Sequence, residues 1–231
     1  MCGRFVSSTP ASALAAQFAV DEVVAPEVAP RWNVAPTDDV LAVATRHGRR
    51  RLGAFSWGLV LSAPPAGARP RRPINLRSET LADRPALRRR LQRNRCVVPA
   101  DGFYEWQPAG PGRAKVPHLI APADGRPLAL AGLWAAVRTG PGDGDWLRTC
   151  AILTGPPNEL VAAVHDRMPV ILPEGAWARW LDDEVDDVAA LAALLVPAPA
   201  ASLAMWPVAP LVNSVANDGP ELVAPTTAPV P

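Results

Sequence analysis

The residue that could take part in the widest range of reactions is Cys2, which directly follows the initiator methionine in the opening MCGRF. Initiator methionines are commonly removed before a small residue, and that removal would leave Cys2 with an α-amine and a thiol on adjacent carbons. Two neighbouring nucleophiles could attack one electrophilic carbon together. The opening alone favours a plainer interpretation, an inert or buried cysteine near a frayed terminus.

Four further stretches place polar residues where a core-building pattern would not. They are RWNVAPT with Asn33, PINLRSET with Asn75, Arg77 and Glu79, DGFYEWQ with Glu105, and VHDRMPVIL with His165, Asp166 and Arg167. Glu105 lies between Tyr104 and Trp106, an aromatic setting that could desolvate its carboxyl group and raise its pKa. Each residue taken alone also fits a structural role, such as a turn asparagine or a helix-terminal histidine.

Composition restricts the classes of protein to consider. The chain has 231 residues, 49% of them hydrophobic, which fits one sizeable soluble domain. No apolar run approaches a membrane span, and the first twenty residues lack the pattern of a signal peptide. Three widely spaced cysteines without a CxxC pair argue against a disulfide framework and a structural metal site. We therefore expect a cytoplasmic or nucleoid-associated protein that uses no metal, no cofactor and no membrane.

Charge is distributed unevenly along the chain although the net charge is only +1. Between Arg46 and Arg95 there are 14 arginines against two acidic residues, Glu79 and Asp83. A basic face of this kind could bind a phosphate backbone. The arginines of RPALRRRLQRNR also fit the solvated side of a helix, so those of ARPRRPINLR are the better candidates for phosphate contacts.

The elements that must position these residues can be predicted from periodicity and turn residues. A helix is expected in SSTPASALAAQFAV, capped by Ser8 or Thr9, with others in ETLADRPALRRRLQRN, PNELVAAVH (capped near Asn158) and PEGAWARWLD. Strands are expected in VLAVATR and RLGAFSWGLV, joined at His47 and Gly48, and in RCVVPADGFYEWQ, HLIAPA, LALAGLWAAV, LRTCAILTG and ASLAMWPVAP. Short strands with inserted helices predict a single α+β domain around a curved, mostly antiparallel sheet or barrel-like core with flanking helices.

Together these stretches resemble the SRAP family of abasic-site processing proteins. The matching landmarks are MCGRF, RWNVAPT, FSWGLV, PINLRSET, DGFYEW, ILTGPPNELVAAVHDRMPVIL and VNSVANDGPELVAP, in the family's order. They span residues 2 to about 225, so we expect a domain over 1–225 and a loose proline-rich tail over 226–231.

The resemblance implies a covalent reaction between the N-terminal cysteine and an abasic site in single-stranded DNA. The ring-opened sugar presents an aldehyde, with which the α-amine of Cys2 would form an imine and the thiol would close a thiazolidine ring. An α-amine with a pKa near 7.7–8.0 is uncharged in roughly a fifth of molecules near pH 7.2, against about one in a thousand for a lysine amine. A terminal cysteine is therefore a far better nucleophile for this reaction than a lysine.

Other site residues are assigned by the same resemblance. It implies that Asn75 orients the opened sugar, that Glu105 transfers protons and that His165 assists ring opening. The residues that it assigns to DNA binding are Arg4, Arg77 and Arg167 at the phosphates, Thr154 near the same backbone, and Asn33 and Pro36 lining the pocket.

Two positions depart from the family's pattern. Family members often carry tryptophan shortly after the WG strand, where an aromatic ring can stack on a base, but this chain reads LVLSAPPAGARPRR there. We expect Arg69, Arg71 and Arg72 to compensate by binding phosphates. PINLRSET also has Leu76 where the family usually shows alanine.

Alternatives from other functional classes stay open at this point. An N-terminal-nucleophile peptidase or hydrolase would use Cys2 to attack an amide, with His165 or Glu105 as base. A non-covalent single-stranded DNA-binding module would use the arginines alone and tolerate loss of Cys2. An imine intermediate would also permit minor lyase activity. We expect a monomer whose partner is single-stranded DNA containing abasic sites.

Overall fold

The computed structural model of the chain describes residues 2–25, 28–62, 71–138 and 146–226. The strands are β1 (Phe5–Ser7), β2 (Glu22–Val23), β3 (Arg31–Val34), β4 (Asp39–Arg46), β5 (Arg49–Trp57), β6 (Asn75–Arg77), β7 (Arg95–Ala100), β8 (Gly102–Gln107), β9 (Val116–Pro122), β10 (Leu128–Arg138), β11 (Trp146–Gly155), β12 (Met168–Pro169) and β13 (Leu203–Pro207). The α-helices are α1 (Ala11–Gln17), α2 (Pro85–Arg93), α3 (Glu159–Ala162), α4 (Glu174–Leu181) and α5 (Val188–Ala192). Single 3₁₀ turns occupy Ser78–Thr80, Ala200–Ser202, Pro210–Asn213 and Pro220–Val223.

The larger sheet curls until its strands close a ring. Its order is β12-β11-β10-β7-β4-β5-β2, with β6 also paired to β11. The pairs from β11 to β5 along this order are antiparallel, and a short parallel pairing of β5 with β11, Thr149 opposite Ser56 and Cys150 opposite Trp57, completes the ring. This ring confirms the α+β, mostly antiparallel and barrel-like architecture expected from the sequence.

A smaller sheet carries the chain's N-terminus to the ring. Its order is β13-β9-β8-β1-β3, and Phe5 of β1 pairs with Phe103 of β8 on one side and Val34 of β3 on the other. Phe5 also makes an edge contact with Trp57 of the ring, at 5.0 Å between ring centroids. Cys2, three residues before β1, is thereby held in the core that the smaller sheet shares with the ring.

Two hydrophobic cores lie on opposite faces of the larger sheet. Its outer face packs against the helices through residues such as Leu14, Leu91 and Trp180. Its inner face joins the smaller sheet in a second core that includes Cys2 and Phe103. Because both faces of the larger sheet are buried, its strands are apolar at nearly every position and appear in the sequence as almost continuous apolar runs.

Two of three predictions at turns and helix ends are confirmed. The hairpin at His47 and Gly48 is confirmed: both have positive φ (53° and 70°), as a two-residue turn between antiparallel strands requires. Asn158 caps α3 as expected, its side chain accepting from the Val161 N–H at 3.0 Å. The cap predicted for α1 is wrong, because α1 starts after Pro10 and Ser8 and Thr9 instead bind the carboxylate of Asp101.

Two other predicted boundaries concern the helix before β7 and the C-terminal tail. The helix expected over ETLADRPALRRRLQRN is divided into the 3₁₀ turn Ser78–Thr80 and α2, which begins at Pro85 because proline has no N–H and fits a first turn. Residues 227–231 of the predicted tail lie outside the described residues. Thr226 donates its backbone N–H to the Pro207 carbonyl at 3.0 Å, and the expected domain boundary at 225 stays a prediction.

Candidate functional site

Cys2 lies in a small buried site between the two sheets. The residue is fully buried, and its thiol lies 3.9 Å from the Arg4 carbonyl oxygen. Asn75 donates from its side-chain amide to the Cys2 carbonyl at 2.7 Å. Asn75 is placed there because β6 pairs in parallel with β11, where it lies opposite Ile152. Two motifs 73 positions apart in the sequence are thus joined by one short hydrogen bond.

Burial also determines the protonation of the cysteine. Desolvation raises the pKa of the Cys2 thiol well above its usual range, and the negative charge of Glu105 raises it further. The thiol is therefore protonated at neutral pH and needs a neighbouring base before it can react as thiolate.

Glu105 is the candidate for the base that accepts the thiol proton of Cys2. It lies on β8, only 2% exposed, and burial raises its pKa from 4.5 to about 7. A carboxyl group with this pKa is populated in both protonation states at neutral pH, so it can both accept and donate a proton. The pKa increase that the aromatic neighbours suggested is thus present, with desolvation as its main cause.

His165 lies beside Glu105, just beyond α3. Its Nε2 is 4.0 Å from a Glu105 carboxylate oxygen, and its Nδ1 accepts the backbone N–H of Arg167 at 3.0 Å. Asp166 also reaches Nδ1 at 2.9 Å, but its side chain is 89% exposed, whereas the Arg167 N–H is fixed by the backbone. We therefore assign the proton of the neutral ring to Nε2, facing Glu105. Desolvation lowers the pKa of His165, which favours this neutral form.

Arg167 and Thr154 form a second polar group near the end of β11. The Arg167 guanidinium binds both carboxylate oxygens of Glu79, at 3.0 and 2.9 Å, and the Thr154 carbonyl at 2.6 Å. Thr154 is fully buried, and its hydroxyl accepts from Arg167 at 3.3 Å. Arg77 lies opposite Thr154 in the β6–β11 register and is exposed. Of these predicted DNA-binding residues, Arg77 is the one that presents its side chain most openly.

Arg4 and Asn33 have an internal role in this structure. Arg4 donates to the Asn33 side-chain oxygen at 2.8 Å and to the Val212 carbonyl at 3.0 Å. Asn33 is fully buried, and its amide donates to the carbonyls of Ser214 and Asn217 at 3.0 and 2.9 Å. These two residues hold the C-terminal segment against β1 and β3, and direct contact of either with DNA stays a prediction.

Of the remaining predicted DNA-binding residues, the structure describes Pro36, Arg71 and Arg72. Pro36 is exposed just after β3, and Arg71 is exposed before β6. Arg72 donates to the Ser56 hydroxyl at 2.6 Å and lies across Gly58, whose φ of 140° only glycine adopts readily. Arg69 lies outside the described residues, as does most of the segment that lacks the family's tryptophan.

Two aspartates that the sequence interpretation missed hold the strands of the site. Asp218 accepts the backbone N–H groups of Trp32 and Asn33, at 2.6 and 3.0 Å, and binds Arg31. Asp101 accepts from the Ser8 hydroxyl at 2.9 Å and from the Thr9 backbone N–H at 3.0 Å. Asp218 lies within the landmark VNSVANDGPELVAP, which was the available signal, but its partners are about 185 residues away.

Replacing Asp101 with alanine is expected to lower the free energy of unfolding by about 2 kcal/mol, because charge-assisted bonds to the backbone and hydroxyl groups of Ser8 and Thr9 are lost. Urea unfolding measures the change, and Asp83→Ala at an exposed position serves as the control. Equal stability of both variants would contradict a role for Asp101 in fixing the N-terminal strand.

Neither a metal site nor a membrane-spanning helix is found in the part of the chain that the structure describes. No group of three or more histidine, cysteine or acidic side chains could hold a metal ion there. Likewise, no helix within the described ranges is long and apolar enough to cross a membrane.

Comparison with known proteins identifies relatives over almost the entire chain. Abasic site processing protein YoqW of Bacillus subtilis is 37% identical over 227 residues, covering 96% of this chain and 99% of that protein. Abasic site processing protein YedK of Escherichia coli is 32% identical, covering 97% and 100%. Abasic site processing protein HMCES of Gallus gallus is 36% identical over 177 residues, covering 68% of this chain and 51% of that protein.

Solved structures agree with the fold. A crystal structure of a protein from Bacteroides thetaiotaomicron superposes with a TM-score of 0.80, covering 97% of this chain and 100% of the other at 21% identity, which supports the fold alone. A protein from Bordetella bronchiseptica gives a TM-score of 0.72 at 27% identity, covering 90% and 100%. The family model described as SOS response associated peptidase (SRAP) matches residues 1–215. The chain therefore belongs to the SRAP family.

Proposed function

We propose that this protein processes abasic sites in single-stranded DNA by forming a covalent thiazolidine crosslink through Cys2 once Met1 is removed. The observation that carries the proposal is the convergence of Asn75, Glu105 and His165 around Cys2. The names of the relatives, abasic site processing proteins, support the same substrate. We further expect a cytoplasmic monomer that needs no cofactor.

The proposed reaction begins at the aldehyde carbon of the ring-opened sugar. The α-amine of Cys2 adds to that carbon, and the carbinolamine loses its hydroxyl as water to give an imine. Glu105 donates the proton that leaves with the water and, as carboxylate, then accepts the thiol proton of Cys2. The imine keeps its proton on nitrogen, so addition of the thiolate to the imine carbon gives a neutral ring and leaves Glu105 protonated as at the start. One water is lost overall, and no oxidant or reductant is required.

Asn75 and His165 have supporting roles in this proposal. The hydrogen bond from Asn75 fixes the Cys2 carbonyl, so the amine and thiol keep one orientation toward the sugar. A neutral His165 with its proton on Nε2 could donate to the sugar oxygen that leaves C1 as the ring opens.

The phosphates of the DNA strand would be bound near the exposed side chain of Arg77. Replacing Arg77 with alanine is expected to weaken binding of abasic and intact single strands alike, and to reduce the slope of log K against log salt by about 0.7. Fluorescence anisotropy over a salt series measures both. Arg179→Ala, at an exposed position of α4, is the control, and an unchanged salt slope for the Arg77 variant would contradict the phosphate contact.

The decisive experiment compares two preparations that differ by one residue ahead of Cys2. A cleavable leader releases either a chain that begins at Cys2 or one that begins with alanine followed by Cys2. Each is mixed with a single-stranded oligonucleotide carrying one abasic site, and intact mass is recorded. We expect an adduct of the summed masses less one water only when Cys2 is first. An equal adduct from the blocked chain would refute the proposal.

A peptidase or hydrolase is the second candidate, because the family description contains that activity and Cys2 lies beside the ionisable Glu105. In that mechanism Cys2 would attack an amide, and Glu105 or His165 would act as base. Turnover of a peptide by the mature protein without DNA would favour this candidate. A non-covalent DNA-binding module, by contrast, would bind intact and abasic strands equally and form no adduct.

A further inference from the structure

A cavity of about 450 Å³ opens at the mouth of the ring far from Cys2. Its walls come mainly from alternate positions of four ring strands, so these side chains face inward. The principal lining residues are Arg46 of β4, Arg51 and Phe55 of β5, Trp134 of β10, and Trp146 and Arg148 of β11. The volume lies within the range of small-molecule sites, about 300–1,000 Å³.

The cavity is separate from the site around Cys2. Arg148 precedes Ile152, the residue paired with Asn75, by four positions along β11, a distance of about 13 Å. The rings of Phe55 and Trp134, in edge contact at 5.9 Å between centroids, lie among the inner-core residues between the two sites. A ligand in this cavity would therefore not touch the groups that act on Cys2.

Two buried polar atoms of the lining residues have neither a hydrogen bond nor an ion pair among the described residues. One is the indole nitrogen of Trp134, a residue only 8% exposed, and the other is the hydroxyl of Thr45. Buried donors are almost always satisfied in folded proteins, so such a pair at a cavity wall is an unusual feature. The indole N–H can only donate, and it is enclosed by protein, so it reaches an acceptor in the cavity when the Trp134 side chain turns toward the occupant.

The entrance combines an aromatic ring with positive charge. Trp146 is 57% exposed, and the Arg138 guanidinium lies over its ring at 5.2 Å from the centroid. Arg46 and Arg148 are exposed at the same opening, while Arg51 is paired with Glu22 at 3.0 Å. Exposed tryptophan beside arginine suits a planar base joined to a phosphate.

We propose that this cavity binds a nucleotide, with the base between apolar walls and its phosphate at Arg46 and Arg148. A purely apolar ligand would leave the Trp134 N–H without an acceptor, and an inorganic anion would leave the aromatic walls unfilled. A base with ring nitrogen or carbonyl acceptors satisfies the indole, and the arginines neutralise the phosphate. The nucleotide could be a free monophosphate or the end of a strand, which share this chemistry.

Isothermal titration with deoxyadenosine 5′-monophosphate tests the proposal, with deoxyadenosine and inorganic phosphate titrated in parallel. We expect the monophosphate to bind at least about tenfold more tightly than either part alone. Trp134→Phe, which removes the N–H and keeps a ring, and Arg148→Gln, which removes an exposed charge, should each weaken binding by about tenfold. Arg126→Gln, at an exposed arginine paired with Glu174 elsewhere, should change nothing.

A 5′-phosphorylated trinucleotide distinguishes the two sources. Binding of the monophosphate with the expected dependence on Trp134 and Arg148 identifies a free nucleotide, and binding of the trinucleotide alone with the same dependence identifies a strand end. Absence of binding by both probes overturns the proposal. So does binding that survives Arg148→Gln and Trp134→Phe unchanged, provided that thermal melting shows both variants folded.

Discussion

Replacing Cys2 with alanine is expected to abolish the stable adduct with abasic single-stranded DNA while leaving a reversible imine. The variant keeps an α-amine at its terminus but has no thiol to close the ring, so the imine hydrolyses or undergoes β-elimination. Denaturing gels should show no adduct after mixing alone and a trapped adduct after borohydride reduction. Strand cleavage at the lesion should rise in the same samples.

The other two cysteines provide matched controls for this variant. Cys96 and Cys150 are fully buried like Cys2, and burial raises the pKa of the Cys150 thiol to about 12. Neither can have an adjacent α-amine, so Cys96→Ala and Cys150→Ala should form the wild-type adduct. A stable adduct from the Cys2→Ala protein would contradict the thiazolidine mechanism, since only an amine would remain to form it.

The sequence is enough to select candidate site residues but not to predict the contacts that bring them together. Cys2 could be selected because removal of Met1 would give it two adjacent nucleophiles, and Asn75, Glu105 and His165 because they stand where a core-building pattern would not place polar residues. Their convergence required the β6–β11 and β1–β8 pairings, which join segments far apart along the chain. Periodicity reports which face of a strand is buried but not which strand is its neighbour.

The contacts that hold the site together could not be predicted from the sequence for a different reason. Asp101 and Asp218 stand beside glycine, where turn geometry is the usual explanation, and their true partners are distant backbone N–H groups. The bond between Arg167 and Glu79 could not be read from two residues 88 positions apart. The sequence predicts Ser8 and Thr9 as helix caps because cap residues and residues that bind a distant carboxylate have the same side chains.

Replacing Glu105 with glutamine is expected to slow adduct formation by about 100- to 10,000-fold at neutral pH, because glutamine keeps the shape but cannot transfer a proton. The wild-type rate should show a limb with an apparent pKa near that of Glu105, about 7, which the variant lacks. Quenched time courses from pH 5 to 9 measure it. Glu79→Gln is the matched control, since the hydrogen bond from Arg167 lowers the pKa of Glu79 and its loss should leave that limb in place.

The same Glu105→Gln substitution should stabilise the fold, and only at higher pH. Because burial raises the pKa of Glu105 from 4.5 to about 7, the folded state holds a proton that the unfolded chain releases between these values. Wild-type stability therefore falls as pH rises from 4.5 through 7, by on the order of 3 kcal/mol. Glutamine never ionises, so the variant should melt higher than wild type at pH 8 and equally at pH 4. A variant that loses both rate and stability at pH 8 would show that Glu105 serves packing, because a carboxyl group kept for proton transfer destabilises the fold that holds it.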